Sequence, residues 1–551
     1  MNDLISNKDV ALKFNLLGKL LELHGENPFR TRSYSSAYIT IRKLPTSVIT
    51  TEKEDLLQIK GIGKAIADKI VELRETGEIK TLTRYLEKTP PGIVEMLQMK
   101  GFGPKKIKVI WEQMGIETPG ELLYACEENR LVDLKGFGAK TQQSLKQQLE
   151  FFLDSQGKYL LGHIESAAYE LRSVLQQEFK EGRIEFINGL RRLNPIVDGI
   201  EILSSISSKE IIEFLTSEEL INPDLNDLYY QGIRIVLNYC PLDKFNSTWF
   251  KLSASSVFIE EWTKNHTITE ESDAAQFAAN GFAFIPPELR ESAEILNQAS
   301  KMDHLDLIRL EDIKGVIHTH STYSDGTATV EAMAQSCMDL GYDYLVMSDH
   351  SKAAFYANGL TEDRVLQQMN EIDILNAQND SFRIFKSIEC DILYDGSLDY
   401  SDDFLSHFDL VIASVHSNLK MTEEKAMQRL LNAIAHPAVT ILGHPTGRLL
   451  LSREGYPIDH VSIIDACAQH NVAIELNASP YRLDLDWQWI SYAQKKGVLV
   501  SINPDAHSIE GIKDIKYGVY AARKGGLGQS HCLNAMGLRE FSEWIKEHKA
   551  C

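Results

Sequence analysis

The sequence predicts a multidomain fold with an α-helical N-terminal region, an α+β middle and a C-terminal α/β segment of barrel-like pattern. Three observations carry this. At 551 residues the chain exceeds what one hydrophobic core organises. Before residue 155, apolar helical stretches alternate with glycine-containing turns. After residue 314, a short β-branched or apolar run is followed by an amphipathic helical stretch, again and again.

Composition narrows the class. Seven scattered cysteines without a CxxC pair fit a reduced compartment better than a disulfide scaffold. The opening MNDLISNKDVALKFNLLGKL carries acids and no cleavable apolar core, and no apolar stretch is long enough to span a bilayer. No signal peptide and no membrane partner are therefore expected. Net charge is −21, yet residues 1–150 hold 23 Lys+Arg against 20 Asp+Glu and the remainder 34 against 58. The acidity sits in the C-terminal part, where carboxylates can hold metal. Neither part is a strongly basic clamp, so unspecific DNA affinity is expected to be modest and salt-sensitive. Twelve of the 16 histidines follow residue 310.

In the helical region, LLQIKGIGKAIADKI, MLQMKGFGPKKIKVI and LVDLKGFGAKTQQSL share one design: an apolar helix end, Lys-Gly-x-Gly, then a second helix. Glycine permits the tight turn, and the N–H groups that follow point outward at a helix N-terminus, a geometry that binds phosphate without reading bases. The candidate DNA-binding residues are Gly61, Gly63 and Lys64, Gly101, Gly103 and Lys105, and Gly136, Gly138 and Lys140. One such turn is ordinary in helix pairs; three in order look like helix-hairpin-helix elements.

The middle predicts a helix near 164–180 and strands in IEFINGL, GIEIL and GIRIVLN. Residues 241–310 read as helical and irregular, punctuated by the paired prolines of FIPPELR. Seven strands then follow: GVIHTH, YDYLVMSDH, FRIFKSIE, FDLVIASVH, AVTILGHP, NVAIELN and GVLVSINPDAH. Parallel strands with crossover helices are expected, closed into a barrel-like fold, with an open doubly wound sheet as the alternative.

Six of the seven strands end in ligand-type residues: His318 and His320 with Asp325 in the loop, then His350, Glu389, His416 and His444, and finally Asp505 with His507. Parallel α/β folds gather such strand ends on one face, and i, i+2 pairs leave a strand on the same side. Nine imidazole and carboxylate ligands exceed the needs of one ion, so two or three divalent ions are expected. Without thiolates the set suits Mn²⁺ first, with Zn²⁺ or Fe²⁺ possible, in a catalytic role. Phosphoester hydrolysis is the reaction best matched to closely spaced ions. Separate histidines satisfying backbone groups would explain any one of these residues, but poorly explain nine.

Through HTHSTYSDG, SDHS, the Glu of SIE, SVHS, GHPTGR, LNASPYRLDLDW and DAHS, residues from about 312 onward resemble the PHP (polymerase and histidinol phosphatase) family. The resemblance implies a distorted (β/α)7 barrel with a trinuclear centre. His318, His320, Glu389 and Asp505 would hold one ion, Glu389, His416 and His444 the second, and Asp325, His350 and His507 the third. Glu389 would bridge two ions and act with Asp505 and His507 in catalysis. Arg448 and Arg482, in matched loops, would grip phosphate.

The order of elements, with ENPFRTRSYSSAY early and FIPPELR at the junction, resembles a bacterial family X DNA polymerase fused to a PHP domain. That implies an 8-kDa-like helix-hairpin-helix domain over 1–90, a fingers-like helix-hairpin-helix region over 91–158, a palm over 159–240, a thumb-like segment and linker over 241–310, and the PHP domain over 311–551. The palm looks degenerate. Arg191 and Arg192 match the family's Arg pair, but its Gly-Ser reads Asn188-Gly189, its Asp-x-Asp reads Gly199-Ile200-Glu201, and its third Asp falls at Gly232. Asp198 stands an odd number of residues from Glu201 and should face the other way. Lys69 matches the position of a Schiff-base lysine that removes 5′-deoxyribose phosphate in some relatives.

The leading expectation is a cytoplasmic, nucleoid-associated DNA-repair nuclease acting on gapped, nicked or 3′-ended DNA: a 3′→5′ exonuclease or 3′-end processor, with abasic-site cleavage a further activity. The alternatives are an active gap-filling polymerase with a PHP proofreader, a small-molecule phosphatase of the histidinol phosphatase type, and a non-catalytic DNA-end binder.

Overall fold

The computed structural model describes residues 6–44, 46–99, 102–132, 134, 137–154, 157–221, 228–301 and 305–550. The chain forms two compact units, Met1–Glu127 with Leu131–Phe152, and Glu128–Arg130 with Leu153–Cys551. No helix among the described residues is long and apolar enough to cross a membrane.

The first unit is helical. Asn7–Leu23 starts from a capping box in which Ser6 and Asp9 satisfy each other's backbone N–H groups, and Pro28–Lys43 starts at Asn27 with proline in its first turn. Val10, Phe14, Leu17 and Leu21 recur at helical spacing and are buried. The three Gly-x-Gly segments of the sequence precede the helices Lys64–Thr76, Pro104–Met114 and Ala139–Asp154. At each turn the residue between the glycines is buried (Ile62, Phe102 and Phe137), while the second glycine is exposed. Gly61 needs to be glycine: its φ is +101°, and a Cβ would sit 2.6 Å from Thr40 Oγ1. Gly101 and Gly136, with Lys100 and Lys135, lie outside the described residues.

The second unit begins with a helix at Leu161–Glu178 and six short strands: β1 (Tyr159–Leu160), β2 (Ile184–Phe186), β3 (Ile196–Val197), β4 (Ile200–Ser204), β5 (Leu228–Tyr230) and β6 (Ile233–Tyr239). β1 pairs with β3, and the other four form a mixed sheet in the order β2-β4-β6-β5. The strand expected across IEFINGL stops at Phe186, because Asn188–Arg191 turns into a short helix. Helices Phe245–Leu252, Ser256–Asn265 and Asp273–Ala279 follow around Phe250, Phe258, Trp262 and Phe277. FIPPELR forms a 3₁₀ turn at Pro287–Leu289.

Seven further strands form the barrel: β7 (Gly315–Thr319), β8 (Tyr344–Met347), β9 (Arg383–Asp391), β10 (Leu410–Ser414), β11 (Ile441–Leu442), β12 (Ala473–Asn477) and β13 (Val500–Asn503). They pair in parallel and in chain order, without the reversal of a doubly wound sheet. Thr319 bridges Ala506, and His320 N–H donates to the Ala506 carbonyl at 2.9 Å, nearly closing the ring at the end that carries the ligand-type residues. Along β8, Tyr344 and Val346 join one buried cluster with Phe541 and Ile545 of the helix Leu538–Ala550, while Leu345 and Met347 join another. This alternation fixes which residues face which layer.

Gly315 begins β7 against the buried ring of Tyr344, which stacks on Phe541 at 4.3 Å. A Cβ there would fall 2.0 Å from Tyr344 Cε2. Gly315→Ala should therefore overpack this layer and cost about 1–3 kcal/mol. Urea unfolding should show a lower midpoint for the second unit at unchanged slope; a wild-type midpoint would contradict this account of the packing.

Candidate metal centre

The backbone aims the first and last ligand pairs in an unusual way. The pairing of β7 with β8 shifts register between Val316 and Thr319, and His318 has φ of +65°. Asp505, just beyond β13, has φ of +53°. Both bring their side chains into the pocket through a left-handed residue, where the regular pleat was expected to do so. Such conformations cost about 1–3 kcal/mol each and collect at functional sites.

Glu389, at the end of β9, is the hub. Its Oε1 lies 2.9 Å from His444 Nε2, 3.0 Å from His416 Nε2 and 3.3 Å from His318 Nε2. Its Oε2 lies 2.8 Å from His350 Nδ1 and 3.7 Å from His320 Nε2. Asp505 Oδ1 is 3.0 Å from His320 Nε2, and Asp325 Oδ1 is 3.3 Å from His507 Nε2. All nine ligand-type residues thus come together. Three groups drawn from these nine residues have their candidate ligand atoms within 4.8 Å of one another: His320, Asp325, His350 and His507; His318, His320 and Asp505; and His350, Glu389 and His416.

The electrostatics follow from burial and mutual charge. Burial pushes the Glu389 carboxyl up, but His416, His318 and His350 override it and hold the group well below the usual range. Burial drives His320 down to about 3, reinforced by His507 and His350, so this imidazole is neutral. Burial also lowers His318, but Glu475, Asp505 and Glu389 raise it well above its ordinary value. The field that draws protons to imidazoles also draws cations, and metal binding displaces those protons. Several buried ligand atoms make no hydrogen bond, among them His318 Nε2, both ring nitrogens of His350, Glu389 Oε2 and His507 Nε2. Buried, mixed N/O donors left in this state suit divalent cations.

The strand without a ligand-type end, β12, supplies the support. Glu475 is fully buried and accepts from His318 Nδ1 at 2.6 Å, the His444 backbone N–H at 3.1 Å, Asn477 Nδ2 at 3.0 Å and Asn503 Nδ2 at 2.8 Å. Sequence reasoning missed it; the available signal was an acid inside the apolar run NVAIELN. It also missed Asp391, which lies 3.3 Å from His416 Nδ1, and Asp349, which accepts from the backbone and hydroxyl of Ser321 and steadies the loop bearing Asp325. It missed Glu128 as well, whose carboxylate groups with Asp505 and His507.

Of the two arginines expected to grip phosphate, Arg448 has its donors committed to the Arg482 and Leu483 carbonyls and to Asp486. It braces the loop. Arg482 is buried with Nε 3.8 Å from Asp505 Oδ2, facing the centre. In the first unit, Gly63 and Gly103 cap their helices without a side-chain hydrogen bond, which keeps the first-turn N–H groups open to an anion. Lys64, Lys105, Gly138 and Lys140 are exposed. Lys69 donates to Thr81 Oγ1 at 2.8 Å, and partial burial lowers its pKa.

In the mixed sheet, Glu201 accepts from Asn188 Nδ2 at 2.8 Å, while Asp198 is exposed and pairs with Lys158. Arg192 pairs with Glu291 at 2.9 Å, and Arg191 lies over the Trp249 ring. Among the described residues, no group of three or more acids, histidines or cysteines able to share an ion occurs in this sheet.

A buried histidine–carboxylate cluster at the strand ends of a seven-stranded parallel barrel, in one chain with glycine-turn helix pairs, defines a PHP-barrel protein carrying helix-hairpin-helix modules. Comparison with known proteins agrees. Residues 5–79 match the family model described as a helix-hairpin-helix domain, and residues 93–150 the SAM-like helix-hairpin-helix tandem. The chain is 34% identical to the DNA polymerase/3′-5′ exonuclease PolX of Bacillus subtilis (strain 168), over 98% of this chain and 99% of that protein. Probable phosphatases from Thermoanaerobacter sp. (strain X514) and Acetivibrio thermocellus are 26% and 27% identical over 42% and 35% of the chain, covering 94% and 80% of their own lengths. The chain belongs to the bacterial PolX family.

Glu475→Gln should keep the fold but weaken the acceptor that orients His318. Divalent-metal affinity should fall roughly 10–100-fold, as for other groups that orient metal-bound imidazoles. Titration with Mn²⁺ would check this; affinity equal to the wild type would remove Glu475 from the centre.

Proposed function

We propose that this protein is a DNA-repair nuclease that hydrolyses DNA phosphodiesters at the barrel centre, as a 3′→5′ exonuclease or 3′-end processor, with abasic-site cleavage as a further activity. The observation that carries this is Glu389, buried with five imidazoles within 3.7 Å, in a chain that also holds two helix-hairpin-helix segments. The relative named a DNA polymerase/3′-5′ exonuclease supports it. The phosphatase reading is weaker: the phosphatase relatives match 42% of the chain or less and leave the helix pairs without a purpose.

His318, His320, Asp325, His350, Glu389, His416, His444, Asp505 and His507 would hold two or three divalent ions, Mn²⁺ first, with Zn²⁺ or Fe²⁺ as alternatives. Bound ions supply Lewis acidity that activates water and neutralises phosphoryl oxygens during in-line displacement. Glu389, within 3.7 Å of five imidazoles, would serve as a ligand common to the ions. Asp505 and His507 flank the same pocket, and Arg482 adds positive charge beside Asp505. The glycine turns hold the backbone of gapped, nicked or 3′-ended DNA through N–H groups and lysines. Lys69, half-buried with a lowered pKa, is the candidate for a Schiff-base lyase. A cytoplasmic, nucleoid-associated location follows from such a substrate. The palm serves as a scaffold, because Gly199 and Gly232 offer no ligand where two-metal nucleotidyl transfer needs carboxylates.

With Mn²⁺, a 5′-labelled primer on gapped duplex should shorten from its 3′ end, while a small phosphomonoester presented alongside stays intact. His416→Ala should abolish the shortening with an unchanged circular dichroism spectrum. Intact DNA beside a hydrolysed monoester would defeat the nuclease reading. On the same gapped DNA with dNTPs and Mg²⁺ or Mn²⁺, primer extension should be absent or very weak; robust extension would show that the palm is active.

A further inference from the structure

Glu128–Arg130 belongs to the second compact unit although it precedes the first barrel ligand by nearly 190 residues. Asn129 takes φ of +55°, a conformation Asn tolerates better than most residues, and the turn carries Glu128 and Arg130 on either side of it. Both side chains reach the metal centre. Glu128 is 4% exposed, and its carboxylate lies within 4.8 Å of ligand atoms of Asp505 and His507. Arg130 Nη2 meets Glu128 Oε2 at 2.5 Å, and its Nε lies 3.7 Å from Asp325 Oδ2. The guanidinium carbon sits 4.9 Å from the centre of the Tyr356 ring, which braces it from one side.

This arrangement is odd for a structural contact. Asp325, Glu389 and Asp505, with Glu475 and Asp391 behind them, already crowd the centre with negative charge, and a further buried carboxylate is unfavourable unless a cation faces it. Arg130 is that cation. Glu128 meets the guanidinium through a single Nη2–Oε2 contact, and its carboxylate carries the charge and two-oxygen outline of the non-bridging edge of a phosphodiester. Arg482 approaches Asp505 but is already buried beside it, and Arg448 is committed to its own loop.

Resting on the phosphoesterase reading above, we propose that Arg130 is the substrate-phosphate clamp of the centre and that Glu128 holds its place until a phosphate arrives. The incoming non-bridging oxygens displace the Glu128 carboxylate from Arg130 Nη2 and engage the guanidinium fork, which Tyr356 keeps aimed during the exchange. No covalent step is involved. Glu128 sets specificity by requiring a ligand that competes for Arg130 as a doubly accepting anion, which inorganic phosphate and phosphodiesters do.

The test uses the full-length, Mn²⁺-loaded protein with inorganic phosphate as the probe, its binding read by calorimetry. Arg130→Ala should weaken phosphate binding by about tenfold or more, and Arg130→Lys, which keeps the charge but loses the fork, should recover only part of it. Glu128→Gln should tighten phosphate binding and lower KM for DNA, with Mn²⁺ stoichiometry equal to the wild type in all three variants. Should Arg130→Ala fail to fold, the near-isosteric Glu128→Gln still decides the matter. Unchanged phosphate affinity in the Arg130 variants, weaker affinity in Glu128→Gln, or loss of a Mn²⁺ ion from Glu128→Gln would each overturn the proposal. Phosphate calorimetry needs no turnover. A wild type that binds phosphate but leaves DNA intact would defeat only the nuclease reading, and an active wild type with indifferent variants only this one.

Discussion

The geometry of the candidate centre depends on one carboxylate. Glu389 is buried and shared by imidazoles that come from the ends of β7, β8, β10 and β11, so four strands must finish in register around β9. Barrel closure makes that possible: the Thr319–Ala506 bridge brings β7 beside the end of β13 and places Asp505 and His507 against His318 and His320. A charge taken out of water costs several kcal/mol unless it is matched. Here Glu389, Asp325 and Asp505 are lowered by their imidazoles, and His318 and His350 are raised by their carboxylates. Such a cluster does little for stability. It is kept in place by the apolar layers beneath it and stands ready for cations.

The legible part of this design was the part with a period. Seven strand-helix units, the ligand-type residue at the end of each strand but one, and the three glycine turns could be read because each repeats a local rule. What escaped depends on distant neighbours. His318 and His320 look like an ordinary i, i+2 pair, yet the left-handed backbone at His318 and the register shift beside it aim the ring. β12 looked silent because its end carries Asn477, while its acid lies two residues earlier and serves His318 from across the barrel. Glu128 and Arg130 offered no signal, since two charges after a helix end are ordinary surface residues until a fold buries them. Arg448 and Arg482 stand in similar loops, and only their hydrogen bonds separate the brace from the residue facing the centre.

The same contrast governs the mixed sheet, where residue type and backbone conformation go together at one position. Gly199 enters β4 with φ of +133°, and a Cβ there would lie 2.4 Å from the Arg234 carbonyl on the neighbouring β6. The parallel pairing of Ile200 with Ile235 holds the two strands at that separation. An aspartate at 199 would have to move β6 or unwind the start of β4. Asp198, the nearest acid, is turned outward to Lys158, and Glu201 is tied to Asn188. Meanwhile Ile200 and Ile202 remain fully buried. The apolar face and the pairing of β4 with β6 thus hold Gly199 against the neighbouring backbone, while the two acids beside it are committed to partners of their own.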